Sequence, residues 1–236
     1  MRDFPKPDIY EQFFKLTPWG ISINEVVSVI QKQADQYATV LDLMCGTGYL
    51  LNEIHKKRND LLLEGIDLNE VFIKYAKENY SFPSFHVADA TRWNSEKKYD
   101  IVLCTGGLHH LSIEEKNSFL KKISKLTHSK GMVIFADPYL DDYTTELERK
   151  QAAAKLGYEY LKSTIANYAN NDLIKSTIDI LYNDVLELEF KTSIKKIEPL
   201  LRKYFASIEV KKTWQNNESD FGDYYIICRN LEQPII

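Results

Sequence analysis

The residues best suited to chemistry lie in a glycine-rich stretch near position 45. An apolar run, residues 40–43, contains Asp42 and is followed by Gly46 and Gly48, and an apolar-periodic segment begins at once with Leu50. This order predicts a strand, a tight turn and a helix. Glycines let a ligand approach the main chain, and the first turn of a helix offers free N–H groups with a partial positive charge. The stretch therefore predicts a nucleotide-binding site.

The spacing of the glycines distinguishes two classes of ligand. A dinucleotide fingerprint requires Gly-x-Gly-x-x-Gly, but Leu51 stands three residues after Gly48, where the third glycine would be. Asp42 precedes the turn, and its carboxylate would repel a pyrophosphate and attract a cationic amino-acid group. The sequence therefore favours a ligand with a cationic head group over a nicotinamide dinucleotide.

The same stretch resembles the first motif of the class I S-adenosylmethionine (SAM) dependent methyltransferases, commonly Asp-x-Gly-x-Gly-Thr-Gly with cysteine often at the second x. The residues that match it are Asp42, Cys45, Gly46, Thr47 and Gly48. The resemblance implies that these residues bind SAM and its product S-adenosylhomocysteine (SAH). Met44 stands where the family usually has its first glycine. We expect the site to tolerate this departure, because the two glycines nearest the helix remain.

A second predicted strand, residues 61–66, leads into Asp67. Because an acid at this point of a βαβ unit accepts hydrogen bonds from ribose hydroxyls, we expect Asp67 to bind the ribose, with Leu68 beside it in the cofactor site. Asp67 could instead cap the following helix, residues 70–78, although Asn69 could cap it as well.

A third predicted strand, residues 85–90, carries Asp89 near its end. The resemblance implies that Asp89 reaches the adenine amino group and that the amide of Ala90 contacts the ring. Acids thus follow three successive predicted strands, which makes the resemblance stronger than the first motif alone.

The fourth predicted strand, residues 99–104, opens into Thr105, Gly106 and a second glycine, followed by His109 and His110. Since ligands of open α/β sheets bind at the carboxyl ends of the strands, we expect Thr105 and Gly106 to face the methyl group of SAM. Small-molecule members of the family often carry a similar Leu-His-His-Leu. An imidazole titrates near neutral pH, so His110 is the candidate general base, with packing or helix capping as its alternative role. Nothing in the sequence fixes the direction of His109.

The fifth predicted strand ends in Asp137, Pro138 and Tyr139. These residues superficially resemble the Asp-Pro-Pro-Tyr signature of DNA amino-methyltransferases, but that signature follows the fourth strand and has a second proline. We therefore interpret them as a strand end, and either Asp137 or Tyr139 could touch substrate.

Helical periodicity dominates two segments outside the predicted sheet. Residues 1–37 are predicted to form an N-terminal helical lid, and residues 139–192 a helical cap over the active site. Residues 38–138 and 193–236 would form the SAM-binding domain. The predicted fold is α/β, with a seven-stranded, mostly parallel sheet between helices; the resemblance implies the strand order 3-2-1-4-5-7-6, with the last strand antiparallel.

Composition limits the possible partners and compartment. The chain has 236 residues, a net charge of -4 and three cysteines that are far apart in sequence. The acidic balance argues against a nucleic-acid partner, no long apolar run predicts a membrane span, and an apolar leader is lacking. We expect a cytoplasmic protein with buried free thiols, and no metal site, because cysteines and histidines at ligand spacing are missing. The sequence gives no indication of the oligomeric state.

Together these observations predict a SAM-dependent methyltransferase that acts on a small molecule, mainly by alignment and exclusion of water. Two alternatives stay open: a SAM-binding protein without turnover, which only Met44 encourages, and a protein or nucleic-acid methyltransferase. An NAD-dependent oxidoreductase is disfavoured by the missing third glycine.

Overall fold

One seven-stranded sheet organises the chain in a computed structural model that describes residues 5–186, 189–216 and 218–230. The strands are β1 (Thr39–Leu43), β2 (Leu62–Asp67), β3 (Ser84–Val87), β4 (Tyr99–Thr105), β5 (Thr127–Tyr139), β6 (Ser207–Trp214) and β7 (Gly222–Arg229). Their order is β3-β2-β1-β4-β5-β7-β6, and β7 runs antiparallel to both of its neighbours. The predicted fold class and strand order are confirmed.

Helices cover both faces of the sheet. They are α1 (Pro7–Leu16), α2 (Trp19–Gln33), α3 (Tyr49–Lys57), α4 (Glu70–Asn79), α5 (Ile113–Leu126), α6 (Glu146–Ala166), α7 (Asn171–Val185) and α8 (Ile194–Leu201). The buried apolar faces of α2, α3 and α4 pack on one side of the sheet, and those of α5 and α8 pack on the other. Parallel strands that are covered on both faces become continuous apolar runs, as the sequence of β1 and β4 shows.

Local sequence signals set several element ends. Asn69 caps α4, since its side chain accepts the N–H groups of Val71 and Phe72, and this leaves Asp67 available for another role. Ser112 and Thr145 form capping boxes at the starts of α5 and α6. The three cysteines are buried free thiols, as predicted.

The segments predicted as lid and cap are helical and contact each other. The Nδ2 atom of Asn170, before α7, donates to Oε1 of Gln12 in α1 at 2.9 Å. On its other side, α1 contacts α4, where the Tyr80 hydroxyl donates to Glu11 at 2.5 Å. The roles of these segments, and the predicted domain boundaries, stay proposals; residues 1–4, 187–188, 217 and 231–236 of those predicted domains lie outside the described residues. Among the described residues, no helix has both the length and the apolar character needed to cross a membrane.

Candidate functional site

The glycine-rich turn joins β1 to α3 through three residues with positive φ. Met44, Gly46 and Gly48 have φ values of 64°, 56° and 78°. A Cβ on Gly48 would lie 2.5 Å from the Phe85 ring, so only glycine fits there. A left-handed conformation costs an L-residue about 1–2 kcal/mol, and Met44 is in that conformation. The backbone at Met44 therefore has the shape that a glycine would adopt without strain.

The Met44 side chain fills the space in front of the loop that follows β4. A Cβ added to Gly107 would lie 2.7 Å from the Met44 sulfur. The loops after β1 and β4 therefore fit together only because a glycine at 107 accommodates the methionine. This pairing explains how the chain tolerates Met44.

Asp42 lies beneath the turn with its carboxyl group buried. The residue is 1% exposed, and neither carboxyl oxygen has a hydrogen-bond partner among the described residues. Burial, with a smaller contribution from the charge of Asp67, raises the pKa of Asp42 to about 8. A buried acid without a partner is costly unless something compensates it, and a bound cation would do so.

Asp67, at the end of β2, forms a hydrogen bond with the backbone of the turn. Its two carboxyl oxygens accept the N–H groups of Gly46 and Asn69, each at 2.8 Å. Burial raises the pKa of Asp67, and these hydrogen bonds oppose the rise. Each oxygen keeps a further lone pair, so the geometry is compatible with the predicted ribose contact. The neighbouring Leu68 is 69% exposed.

The other predicted cofactor residues around the turn are spread over several environments. Cys45 and Thr47 are buried in the turn, and the Thr47 hydroxyl has no hydrogen-bond partner among the described residues. Asp89 instead forms a local turn, because its Oδ1 accepts the N–H and hydroxyl of Thr91 at 2.8 and 2.6 Å. The pKa of Asp89 lies below its usual value, because burial favours a higher pKa but the hydrogen bonds from Thr91 outweigh that effect. Ala90 beside it is buried.

Tyr10 of α1 covers the turn, a contact that the sequence did not indicate. A Cβ on Gly46 would lie 3.2 Å from Cε1 of the Tyr10 ring. The centroid of this ring is 4.9 Å from the ring centroid of Phe72 in α4. Burial and then the charges of Asp67 and Asp42 raise the pKa of the Tyr10 hydroxyl. Tyr10 of helix α1 thus packs against the turn at Gly46.

The loop after β4 lies beside the same turn. Gly106 has a φ of 64°, and its N–H donates to the Ala136 carbonyl at 2.8 Å, which leaves Thr105 and Gly106 at the carboxyl edge of the sheet. The ring of Trp19 lies 3.3 Å from the position of a Cβ on Gly106.

The two histidines each have a carboxylate partner. His109 Nδ1 lies 2.5 Å from Oδ1 of Asp137, whose Oδ2 accepts the His109 N–H at 2.9 Å. Burial raises the pKa of Asp137 to about 7 and lowers the pKa of His109 well below its usual value. His110 Nδ1 lies 2.7 Å from Oε2 of Glu189, in the segment after α7. Burial favours a higher pKa for Glu189, but chiefly the hydrogen bond with His110 lowers it to about 2.

Further buried polar groups surround this pair. Lys116 donates to the carbonyls of Leu111 and Phe190 at 2.5 and 2.8 Å, and burial lowers its pKa to about 8. Lys191 pairs with Asp184 at 2.6 Å. The sequence contained no signal for Glu189, Lys116 or Lys191, because charged side chains are usually exposed to solvent.

The described structure therefore places the predicted residues in two groups. Asp42, Asp67 and the turn glycines meet at the ends of β1 and β2, and the histidines meet Asp137 and Glu189 at the ends of β4 and β5. Asp137 was predicted to be a possible substrate contact, and this stays a prediction; its Oδ1 lies 2.5 Å from Nδ1 of His109. The first group suits a cationic nucleoside, and the second suits proton transfer or the binding of a polar acceptor.

Comparison with known proteins identifies methyltransferases as relatives of this chain. Residues 40–131 match the family model described as a methyltransferase domain. A protein assigned as methyltransferase 235L of Invertebrate iridescent virus 6 is 29% identical, over 58% of this chain and 61% of the relative. The carboxy-S-adenosyl-L-methionine synthase of Campylobacter fetus is 31% identical, over 51% of this chain and 53% of the relative. The chain thus spans little more than half the length of these relatives.

Solved structures share the fold at low sequence identity. The plantazolicin methyltransferase BpumL, in complex with a desmethyl plantazolicin analog and SAH, superposes with a TM-score of 0.65 at 14% identity, over 94% of this chain and 90% of that one. The magnesium protoporphyrin IX methyltransferase of Synechocystis PCC 6803, with bound SAH, gives 0.59 at 17% identity, over 89% and 82%. At such identities the likeness shows the fold alone.

Proposed function

We propose that the chain transfers a methyl group from SAM to a small-molecule acceptor. The premise is the predicted family, the class I SAM-dependent methyltransferases, which is confirmed by the match of residues 40–131 to a methyltransferase domain together with the shared fold. The observation that carries the proposal is the buried carboxyl group of Asp42, which has no partner among the described residues and lies under a left-handed glycine turn. The α-ammonium group of SAM would supply the missing counter-charge.

The residues proposed to bind the cofactor follow the family motif. Asp42, Cys45, Gly46, Thr47 and Gly48 would surround the methionine end, where the amides that begin α3 can bind its carboxylate. Asp67 and Leu68 would contact the ribose, Asp89 and Ala90 the adenine, and Thr105 and Gly106 the region of the methyl group. Among the described residues, neither the Thr47 hydroxyl nor the Asp42 carboxyl group has a hydrogen-bond partner, and such groups fit a polar head group better than an apolar one.

The acceptor is proposed to bind at the ends of β4 and β5. The sulfonium of SAM already activates the methyl group, so the chain mainly has to orient the acceptor and exclude water. Helix α1, through Tyr10, is proposed to act as the lid, and α6 with α7 as the cap. If the acceptor arrives protonated, His110 is the proposed general base, and Glu189 at 2.7 Å would orient its ring.

The class of acceptor is supported by neighbours and by charge. Two proteins of similar fold are a plantazolicin methyltransferase and a magnesium protoporphyrin IX methyltransferase. The net charge of -4 disfavours a nucleic-acid partner. We propose a small-molecule acceptor and a cytoplasmic location.

A second candidate is a reaction in which SAM itself is modified. The 31% identical relative from Campylobacter fetus is named as a carboxy-S-adenosyl-L-methionine synthase, and this name describes the formation of a modified SAM and not the transfer of a methyl group. The products distinguish the two: methyl transfer forms SAH, and modification of SAM does not.

The test is calorimetric titration of the purified chain with SAM, SAH and NADH, followed by an acceptor screen that measures SAH formation. We expect micromolar binding of the two adenosyl ligands and none of NADH. Asp67→Ala should weaken this binding, and Asp60→Ala, which removes an acid paired with Arg58 on the surface, should not. Failure of SAM and SAH to bind would overturn the proposal, and turnover without SAH would favour the second candidate.

A further inference from the structure

The two histidines and Glu189 present three potential metal ligands to one point. One donor atom from each of His109, His110 and Glu189 lies within 4.8 Å of the others. Glu189 Oε2 is 2.7 Å from His110 Nδ1 and 3.8 Å from His109 Nε2. Ligand atoms of a tetrahedral zinc site, each about 2.0–2.1 Å from the metal, are about 3.3 Å apart, so small shifts would suffice.

Asp137 prepares His109 for this role. Nδ1 lies 2.5 Å from an oxygen of Asp137, and when this carboxyl group is ionised the proton of the neutral ring lies on Nδ1 and Nε2 keeps its lone pair. That lone pair is directed towards the Glu189 carboxylate at 3.8 Å. A carboxylate behind a ligating histidine is the usual outer partner in metal sites, because it fixes the tautomer and the ring orientation.

The backbone holds the three residues in register. The Phe190 N–H donates to the His109 carbonyl at 2.7 Å, and Lys116 bridges the carbonyls of Leu111 and Phe190. The segment that carries Glu189 is thereby fastened to the turn that carries both histidines. A site of this kind is formed before its ligand arrives.

The local charges allow a divalent cation. The nearby ammonium group of Lys191 is paired with Asp184, and that of Lys116 is held by two carbonyls. Asp137 and Glu189 provide two carboxylates around two imidazoles, and imidazole with carboxylate is a donor set that zinc and related metals favour. We propose that His109, His110 and Glu189 bind one divalent transition-metal cation, with Asp137 as the positioning residue behind His109.

This inference rests on the proposed function and names the group that activates the acceptor. With three protein ligands, the cation keeps a position for an acceptor hydroxyl or amine, whose pKa it lowers. The deprotonated acceptor attacks the methyl carbon, the carbon–sulfur bond breaks with its electron pair on sulfur, and the released proton passes to solvent. His110 is then a ligand, and the cation replaces it as the group that favours deprotonation.

The experiment is a metal titration of the full chain, purified without a histidine tag and treated with chelator. Zn²⁺ binding is measured by calorimetry, and Co²⁺ binding by the visible absorption of a tetrahedral site. We expect one saturable equivalent. His109→Ala and Glu189→Gln should each weaken binding at least tenfold, and Asp137→Asn should weaken it about 10–100-fold, as loss of an outer partner does.

The matched control is His86→Ala. His86 Nε2 also lies near a carboxylate, that of Glu64 at 3.9 Å, but His86 is exposed, and the described residues form no group of three potential metal ligands there. Its replacement should leave metal binding unchanged. Circular dichroism and SAH titration of every variant separate a folding defect, or failure of the SAM assignment, from loss of the metal. A wild-type chain that binds no metal, or variants Glu189→Gln and His109→Ala that bind it as tightly as the wild type, would overturn the inference.

Discussion

Replacing Asp42 by asparagine should stabilise the free protein and weaken cofactor binding. The carboxyl group is buried with a pKa of about 8, against 3.8 for an ordinary aspartate. Because the folded pKa is raised, the folded state is favoured while the group is protonated, and this advantage is lost as the pH rises from about 4 to about 8. Asparagine has nearly the same shape and no charge, so it avoids that loss.

The magnitude follows from the same shift. Stability linked to Asp42 falls by about 1.4 kcal/mol per pH unit between the two pKa values, which amounts to as much as about 4 kcal/mol at pH 7. Asp42→Asn should therefore equal the wild type below pH 4, exceed it progressively at higher pH, and keep a constant advantage above pH 8. In the opposite direction, SAM and SAH should bind at least tenfold more weakly, because their ammonium group loses its carboxylate.

Urea unfolding of both proteins between pH 5 and pH 9, with SAH calorimetry at each pH, measures the two effects. Asp100→Asn is the control of opposite sign, since the pKa of Asp100 is lowered by hydrogen bonds from Thr39 that outweigh burial. Its loss should cost about 1 kcal/mol at pH 7. Wild-type and Asp42→Asn curves that coincide at every pH would refute the argument that Asp42 is buried without a partner.

Three further predictions concern the same edge of the sheet. Asp67→Ala should weaken SAM binding by about 1–3 kcal/mol in calorimetry, because ribose hydroxyls and the Gly46 amide lose their acceptor. Gly107→Ala should destabilise the fold by about 1–3 kcal/mol in urea, and Met44→Ala in the same chain should recover most of that loss, since the clash is with the methionine sulfur; additive effects would contradict this. Tyr10→Ala should speed SAH association several-fold in stopped-flow measurements, because the ring no longer covers the turn, and the exposed Tyr37→Ala should leave the rate unchanged.

Local sequence signals predicted those features that neighbouring residues determine. The turn after β1 and the cap at Asn69 depend on a few adjacent positions, and the order of strands and helices follows from periodicity and length. Asp42 could be predicted as a site residue for the same reason, since it ends an apolar run before a glycine turn. The sequence could not predict that the Asp42 carboxyl group has no hydrogen-bond partner among the described residues, because this depends on which residues from the rest of the chain surround it.

The acceptor side was harder to predict because its residues come from distant parts of the chain. His110 and Glu189 are 79 positions apart in sequence, and only the folded chain brings their side chains within 2.7 Å of each other. The sequence favoured His110 as the base and left His109 without a direction, whereas in the structure His109 has the more buried partner, Asp137. The sequence also predicted no metal site, because cysteines and histidines at ligand spacing are missing, and this stays a prediction. Spacing rules consider only ligands that are close in sequence, so they do not apply to the group of His109, His110 and Glu189.

The cofactor turn combines two unfavourable features that a ligand would relieve differently. Met44 in a left-handed conformation carries a backbone cost, and Gly107 leaves room for its side chain. The cost of ionising Asp42 is conditional, because it disappears when a cation lies beside the carboxylate. A ligand whose head group is positive therefore gains affinity from Asp42 in addition to its own contacts, and a neutral or anionic nucleotide does not. For this reason we expect the turn to bind SAM, whose head group carries an ammonium, in preference to NAD.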